Sequence, residues 1–212
     1  IGNAFPDIVV LYPKDRKKEM RVLSLEEQTR FIQYLLTDMD EVKFGVLLAL
    51  LTGMRIGEVC ALKWEDISLG DQVLRISSTI QRLQTLDEQT DRKTKISIGE
   101  AKSETSKRVI PLTDYAVSLC IKMQISNGKA YILTGEASRY FEPRALQYRL
   151  EKYTAACNLN NVHFHVLRHT FATRCIEVDF EIKSLSEILG HASAKVTLDR
   201  YVHPSLELKR MN

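Results

Sequence analysis

The segment Glu41–Thr52 is apolar on nearly every side of the helix that its residues favour, and this constrains the fold more than any other feature. A helix of this kind is buried, so the rest of the chain must supply elements that cover it all round. The 212 residues are enough for one full hydrophobic core or two small ones. Gly53 is a typical helix stop, and Arg55 follows shortly after it. A buried helix that ends beside an arginine would hold that guanidinium rigidly.

Further helical patterns lie on both sides of this segment. Ser24 and Glu27 have the spacing of a capping box at the start of a preceding helix. A short helix is predicted over residues 55–64, and Pro143 fits the first position of a later one. The remaining predicted helices cover residues 114–124, 164–176, 181–189 and 194–203.

Three stretches in the middle of the chain favour β-strands. Residues 73–80 alternate and carry β-branched side chains, and residues 95–98 and 108–112 are further candidates. Residues 81–92 are polar and are predicted to form a loop or an exposed extension. The sequence therefore predicts an α+β fold that is mainly α-helical, with a small antiparallel β-sheet.

Composition narrows the class of protein without deciding its function. The net charge of +3 and the pI near 8.6 mildly favour an anionic partner. The longest apolar run, residues 46–51, is far shorter than the roughly 20 residues that span a bilayer, and no signal peptide is visible. The first residue is Ile1, which is compatible with a fragment of a longer protein. Widely spaced cysteines without a CxxC pair predict reduced core residues in a cytosolic protein: Cys60, Cys120, Cys157 and Cys175.

The segment HVLRH combines an arginine with histidines at helical spacing. Arg168 follows His165 by three residues, so both side chains lie on one face of a helix. Together they can form a phosphate pocket with one titratable member. Spacing alone does not separate this from a surface arginine beside a capping histidine. The histidines at 163, 165 and 169 have no acidic or cysteine ligand near them, so no metal site is predicted.

Arg55 and Arg168 together have the chemistry to hold a phosphodiester. Two planar guanidinium groups can fork its non-bridging oxygens and stabilise the charge of a pentacovalent transition state. Glu58 lies one turn after Arg55, where it would either orient that guanidinium or point into solvent as an ordinary helix glutamate.

Three motifs then occur in a fixed order along the chain, and each carries candidate residues. They are LLTGMRIGEVCALKW, HVLRH and LGHASAKVTLDRY, the last ending in Tyr201. These segments closely resemble the tyrosine recombinases, the family of phage and transposon integrases, over residues 24–204. The resemblance implies a catalytic domain over 24–204, preceded by the end of an interdomain linker over 1–23. Residues 205–212 would be a C-terminal tail, whose length in the intact protein the resemblance leaves open.

The resemblance implies site-specific DNA recombination, the integration or excision of a mobile element, without metal, ATP or other cofactor. Tyr201 would attack the scissile phosphate and form a 3′-phosphotyrosyl link, with His165 as the candidate base because a phenol of pKa about 10 needs one. Double-stranded DNA at attachment sites would be the partner. A tetramer is expected for the full-length synaptic complex, and a monomer for the isolated domain. The implied catalytic residues are Arg55, Lys102, His165, Arg168, His191 and Tyr201, with Glu58 behind them.

Lys102 is the predicted general acid that protonates the leaving 5′ oxygen. AKSETSKRVIPL resembles the turn between two strands in which the family carries this lysine. The insert before it leaves Lys93 and Lys95 as competitors. Other basic residues of this region are expected to contact the DNA backbone: Arg92, Lys93, Lys95, Lys107 and Arg108.

Other interpretations stay open at this point. His191 could be a helix-end cap, and Tyr201 could be a packed core tyrosine. The chain could also be a type IB topoisomerase, which shares this chemistry, or a non-catalytic DNA-binding module of the same fold.

Overall fold

The computed structural model describes residues 20–84, 94–100 and 107–202, in which helices dominate. The helices are α1 Leu25–Leu36, α2 Glu41–Thr52, α3 Ile56–Ala61, α4 Asp114–Met123, α5 Pro143–Ala156, α6 Phe164–Glu177, α7 Ile182–Leu189 and α8 Ala194–Thr197. The strands are β1 Ile67–Ser68, β2 Val73–Ile76, β3 Ser78–Gln84, β4 Thr94–Glu100 and β5 Arg108–Pro111. A 3₁₀ turn, Trp64–Asp66, follows α3, and a π-helical segment, Leu198–Val202, follows α8.

Helix α2 lies at the centre of the main hydrophobic core, as its sequence predicts. Every residue from Phe44 to Leu50 is buried, because helices α1, α3, α4, α5 and α6 pack around it. Burial on all sides explains why apolar residues occupy every face of this helix. The end of α2 is therefore a fixed point from which the following residues are positioned.

Local signals in the sequence set several of these helix boundaries. The Ser24 hydroxyl accepts from the backbone N–H of Glu27, and the Glu27 carboxylate accepts from that of Ser24, which confirms the capping box. Pro143 occupies the first turn of α5, as predicted. Gly53 ends α2 in the left-handed region, with φ of 68°.

In the part of the chain that the structure describes, the strands form two small antiparallel sheets, where the sequence predicted one. One has the order β1-β2-β5 and the other is the hairpin β3-β4. The prediction of one strand over 73–80 was wrong, because the chain leaves the first sheet at Ser77 and enters the second at Ser78. The Ser77 hydroxyl instead donates to Asp66, 3.2 Å away.

Of the two alternatives predicted for residues 81–92, a loop or an exposed extension, the loop is wrong for residues 81–84, which continue β3 and pair with β4. Backbone hydrogen bonds hold this hairpin, so polar side chains such as those of Gln81 and Arg82 can lie exposed on it. Residues 85–92 lie outside the described part of the chain.

The predicted helix over 194–203 is divided in two. Helix α8 covers Ala194–Thr197, and the chain then widens into the π-helical segment Leu198–Val202. A π segment shifts the side chains that follow it around the helix axis. In this chain it places Tyr201 against Ala172 of α6 and Leu185 and Leu189 of α7. That packing in the folded domain, and not the local helical pattern, sets the position of Tyr201.

All four cysteines have free thiols, and Cys60, Cys120 and Cys157 are buried while Cys175 is partly exposed. Burial raises the pKa of the Cys120 and Cys175 thiols to about 11 in each case. These thiols are therefore protonated and unreactive at neutral pH. Within the described ranges, no helix combines the length and the apolar character that crossing a bilayer requires.

Candidate active site

Two arginines that are remote in sequence meet at the C-terminal end of α7. The Leu189 carbonyl accepts from Nη2 of Arg168 at 2.5 Å, and the next carbonyl, that of Gly190, accepts from Nη2 of Arg55 at 3.0 Å. The last carbonyls of a helix lack partners within it and form the negative end of its dipole. They therefore attract and orient both guanidinium groups. Gly190 turns the chain sharply there, with φ of 62°.

Helix α2 supplies a second anchor for Arg168. The carbonyl of Gly53, the residue that ends α2, accepts from Nη1 of Arg168 at 2.8 Å. A Cβ at Gly53 would lie 2.5 Å from a ring carbon of Phe171, so the close approach of α6 also requires glycine there. Arg168 thus bridges the ends of two helices.

The Arg168 side chain is almost completely buried. The residue is only 3 % exposed. Burial, followed by the positive charge of Arg55, lowers the pKa of its guanidinium to about 9. A group with this pKa is still protonated at neutral pH. Two adjacent cations in a low-dielectric site form a strong attractor for an anion.

Glu58 holds Arg55 in place through two further hydrogen bonds. Its carboxylate accepts from the backbone N–H of Arg55 at 2.8 Å and from Nη1 at 2.9 Å. Glu58 is 4 % exposed, so it is not the solvated helix glutamate that the sequence left open. Burial alone would raise the pKa of this carboxyl, but the hydrogen bonds and charges of Arg108 and Arg55 outweigh it and lower the pKa.

Tyr201 is buried beside these arginines, with its hydroxyl 3.0 Å from Nδ1 of His169. Its ring lies parallel to that of His191, with the ring centres 6.3 Å apart. Burial raises the pKa of the phenol, although Arg168 and Arg200 act in the opposite direction. The three motifs of the sequence therefore come together at one place.

His169 is the residue that sequence reasoning missed, since it is not among the predicted catalytic residues. It lies one turn after His165 on the same face of α6, and that spacing was the available signal. Burial, followed by the charge of His165, lowers the pKa of the His169 imidazole to about 4. Because this is far below the pKa of the phenol, His169 does not remove the proton of Tyr201 at rest. It orients the hydroxyl instead.

His165 and His191 flank this pair. His165 is exposed, and its ring lies edge-on to that of His169 with the centres 5.7 Å apart. Partial desolvation lowers the pKa of the His165 imidazole, and Arg168 adds to this. His191 follows Gly190, and its Nδ1 lies 2.9 Å from the Thr197 hydroxyl. Desolvation and then the charge of Arg168 lower the pKa of His191 to about 4.

The predicted basic residues divide into three groups. Lys102, Arg92 and Lys93 lie outside the described residues. Lys95 on β4 and Lys107 before β5 are exposed. The placement of Arg108 differs from the predicted contact with the DNA backbone. Its side chain is 6 % exposed, and both Nη atoms bond to Glu58 at 2.8 Å. Among the residues that the structure describes, no group of three or more His, Cys, Asp or Glu side chains is arranged to hold a metal ion.

The contact between His169 and Tyr201 can be measured as a coupling in stability. His169→Phe removes this partner of the buried phenol hydroxyl, which costs about 0.5–1.5 kcal/mol of the free energy of unfolding. In the Tyr201→Phe background the same change is expected to cost much less, because the hydroxyl that makes the hydrogen bond is already absent. Chemical denaturation of the four proteins gives the coupling energy.

His163→Phe is the matched control for that cycle. His163 is exposed at the start of α6 and its side chain makes no cap hydrogen bond. Its coupling with Tyr201→Phe should be close to zero. A His169 coupling equally close to zero would contradict the orienting role.

Comparison with known proteins matches the chain to one family. The sequence model of the phage integrase family matches residues 21–207. A tyrosine recombinase XerC-like protein of Caldanaerobacter subterraneus is 28 % identical over 172 residues, which cover 74 % of this chain and 44 % of that protein. The integrase of Staphylococcus phage L54a is 25 % identical over 219 residues, which cover 93 % of this chain and 59 % of that protein. The chain thus spans about half the length of these curated relatives.

Solved structures share the fold at lower sequence identity. The Tn1549 transposon integrase in complex with a circular intermediate DNA superposes with a TM-score of 0.72 at 19 % identity, covering 94 % of this chain and 68 % of that one. XerA recombinase gives a TM-score of 0.63 at 22 % identity, covering 90 % and 63 %. At these identities the likeness establishes the fold of the chain.

Proposed function

The chain belongs to the phage integrase family, and on that premise we propose that it is the catalytic region of a site-specific DNA recombinase. The observation that carries the proposal is the convergence of Arg55, Arg168 and Tyr201 at the end of α7. A nucleophile-bearing side chain beside two oriented guanidinium groups suits attack on a phosphodiester. Relatives named as integrase and tyrosine recombinase support the same assignment.

The reaction that fits this geometry is phosphoryl transfer to tyrosine. The phenolic oxygen of Tyr201 forms a bond to phosphorus while the bond from phosphorus to the 5′ oxygen breaks. Arg55 and Arg168 stabilise the charge on the non-bridging oxygens in the transition state. A 5′-hydroxyl of a partner strand then attacks the 3′-phosphotyrosyl link and releases Tyr201. One phosphoester bond replaces another at each step, so no ATP is consumed.

Two protons move in the cleavage step, and each needs a carrier. His165, the exposed histidine one turn before His169, is the proposed acceptor of the phenolic proton. A bound phosphodiester would bring negative charge beside these imidazoles and raise their pKa values. Lys102, outside the described residues, is the proposed donor to the 5′ oxygen. His191 is a further donor to the phosphate in this scheme.

A nicked suicide substrate tests the proposed function, because loss of the short 5′ fragment traps the covalent intermediate. We expect a protein–DNA adduct that survives denaturation and disappears after proteolysis. Binding without an adduct would support the non-catalytic module. Exchange of strands between two duplexes by the full-length protein would separate a recombinase from a topoisomerase-like enzyme. The recombinase proposal includes attachment-site DNA as the partner and a tetramer in the full-length synaptic complex.

The role of Lys102 can be tested by changing the leaving group. Lys102→Ala should cleave ordinary DNA very slowly, because a 5′-alkoxide leaves poorly without a proton. A bridging 5′ sulfur leaves far more readily, since thiol pKa values lie near 8.5. The variant should therefore recover most of its cleavage rate on the sulfur-substituted strand.

Two controls accompany that measurement. Arg55→Ala should gain little from sulfur, because it acts on the non-bridging oxygens. Lys95→Ala and Lys93→Ala should cleave ordinary DNA normally. Rescue of one of these two variants, without rescue of Lys102→Ala, would move the general acid into the insert.

A further inference from the structure

Three successive carbonyls at the end of α7 each accept a hydrogen bond from a different arginine. Arg168 bonds to Leu189 and Arg55 bonds to Gly190, as described above. The carbonyl of Ile188, the residue before them, accepts from Nε of Arg108 at 2.5 Å. Arg108 thus occupies the same scaffold as the two arginines assigned to the phosphate.

Glu58 forms a second link between two of these three arginines, Arg55 and Arg108, in addition to the end of α7. Its two carboxylate oxygens accept from Nη1 and Nη2 of Arg108, each at 2.8 Å, in a bidentate pair. One of the same oxygens also accepts from Nη1 of Arg55 at 2.9 Å. Arg55 and Arg108 are therefore linked twice, once through Glu58 and once through the end of α7.

The burial of the two linked side chains is very different. The Arg108 side chain is 6 % exposed and that of Arg55 is 36 % exposed. Arg55 can therefore reach a ligand from solvent, while Arg108 lies behind it. Arg108 begins β5, whose pairing with β2 fixes its backbone. The guanidinium of Arg108 connects this sheet to Glu58 and to the end of α7, the two groups that also hold Arg55.

Charge balance gives the second argument. A single arginine beside the buried Glu58 carboxylate would be neutralised by it. With Arg108 also present, the group of Arg55, Arg108 and Glu58 carries a net positive charge. Arg108 therefore compensates Glu58, so that the charge of Arg55 is available to an anion.

We propose that Arg108 is a positioning residue for this active site: it holds Glu58 and the end of α7, and through them fixes the guanidinium of Arg55 without contacting DNA. The expected effect of Arg108 on cleavage rests on the proposed function. Its expected effect on the position of Arg55 rests on the geometry alone. This positioning role replaces the predicted contact of Arg108 with the DNA backbone.

The test compares Arg108→Met with the same change at Arg174, an arginine whose hydrogen bonds go to other parts of the fold. Arg174 likewise ties separate parts of the fold together, through Gln28 at 3.0 Å and the carbonyl of Leu23 at 2.6 Å. Arg174→Met is therefore the control for loss of stability alone. Both variants are studied at a temperature where circular dichroism shows them folded.

The first readout is cleavage of a suicide substrate under saturation. A displacement of about 1 Å in a catalytic group can cost roughly 10²-fold in rate. We expect Arg108→Met to lose on the order of 10²-fold in kcat with little change in KM, because DNA contacts are untouched. Arg108→Lys should recover part of the loss, since it restores charge but not the bidentate pair. Arg174→Met should keep the wild-type kcat.

The second readout does not depend on catalysis. Arginine side-chain ¹⁵N NMR, with Arg55 assigned through loss of its signal in Arg55→Lys, reports whether its Nη groups rotate freely. We expect restricted rotation in the wild type and in Arg174→Met, and free rotation in Arg108→Met. An unchanged Arg55 signal in Arg108→Met, or a wild-type kcat in that folded variant, would overturn the inference. If the wild type forms no adduct, the proposed function fails, and the NMR comparison still decides the role of Arg108.

Discussion

Tyr201→Phe is expected to abolish the covalent protein–DNA adduct while leaving DNA binding in place. The substitution removes only the oxygen that would attack phosphorus and keeps the ring that packs on His191, Ala172 and Leu189. Affinity for DNA depends mainly on basic contacts to the phosphate backbone, which the change does not touch. The adduct is measured on a nicked suicide substrate by denaturing electrophoresis, and binding by titration at fixed salt.

A second buried tyrosine supplies the control for this result. Tyr153 of α5 is 6 % exposed and packs against Tyr34, in a different hydrophobic cluster from that of Tyr201. Tyr153→Phe should form the adduct at the wild-type rate. An adduct of normal yield from Tyr201→Phe would mean that another residue is the nucleophile. Loss of adduct in both variants would point to a general effect of removing buried hydroxyl groups.

Local patterns predicted those parts of the fold whose causes are local. The apolar faces of α2 and the glycine that ends it require only neighbouring residues, and so does the capping box at Ser24. The break between β2 and β3 at Ser77 has no such signal, because Leu74, Ile76 and Ile80 all lie on one face of a single continuous strand over 73–80. Which sheet each half joins depends on partners distant in sequence. The position of Tyr201 in the π-helical segment likewise depends on residues distant in sequence, since Tyr201 packs against α6 and α7.

The candidate site divides in the same way. Arg55, Arg168, His191 and Tyr201 lie in motifs that resemble a family, so their convergence was expected from sequence. Nothing in the sequence distinguishes Arg108 from its neighbour Lys107 as the buried residue. That difference arises only when β5 pairs with β2 and turns one side chain toward Glu58.

Arg168→Lys is expected to slow cleavage on the order of 10²–10³-fold, the usual loss when one donor to a developing oxyanion is removed. The two Nη atoms of Arg168 bond to carbonyls on different helices, Gly53 after α2 and Leu189 at the end of α7. A single ammonium cannot reproduce this planar bridge. The loss should appear in kcat, with the variant folded at the assay temperature.

The pH dependence of cleavage by Arg168→Lys separates two causes of a slower rate: loss of the planar hydrogen-bonding geometry and loss of positive charge. Burial and Arg55 already lower the pKa of the Arg168 guanidinium to about 9 from an ordinary value far above that of lysine. The same surroundings would lower the pKa of a lysine ammonium from its ordinary value of about 10.4, so part of its charge is lost as the pH rises through that lowered pKa. The ratio of variant to wild-type rate should therefore fall with increasing pH between about pH 6 and pH 9. Arg174→Lys, at a more exposed site whose hydrogen bonds go to Gln28, Leu23 and Glu177, should show a constant ratio near one. A constant but low ratio for Arg168→Lys would assign the whole loss to geometry, and a wild-type rate at every pH would remove Arg168 from the catalytic set.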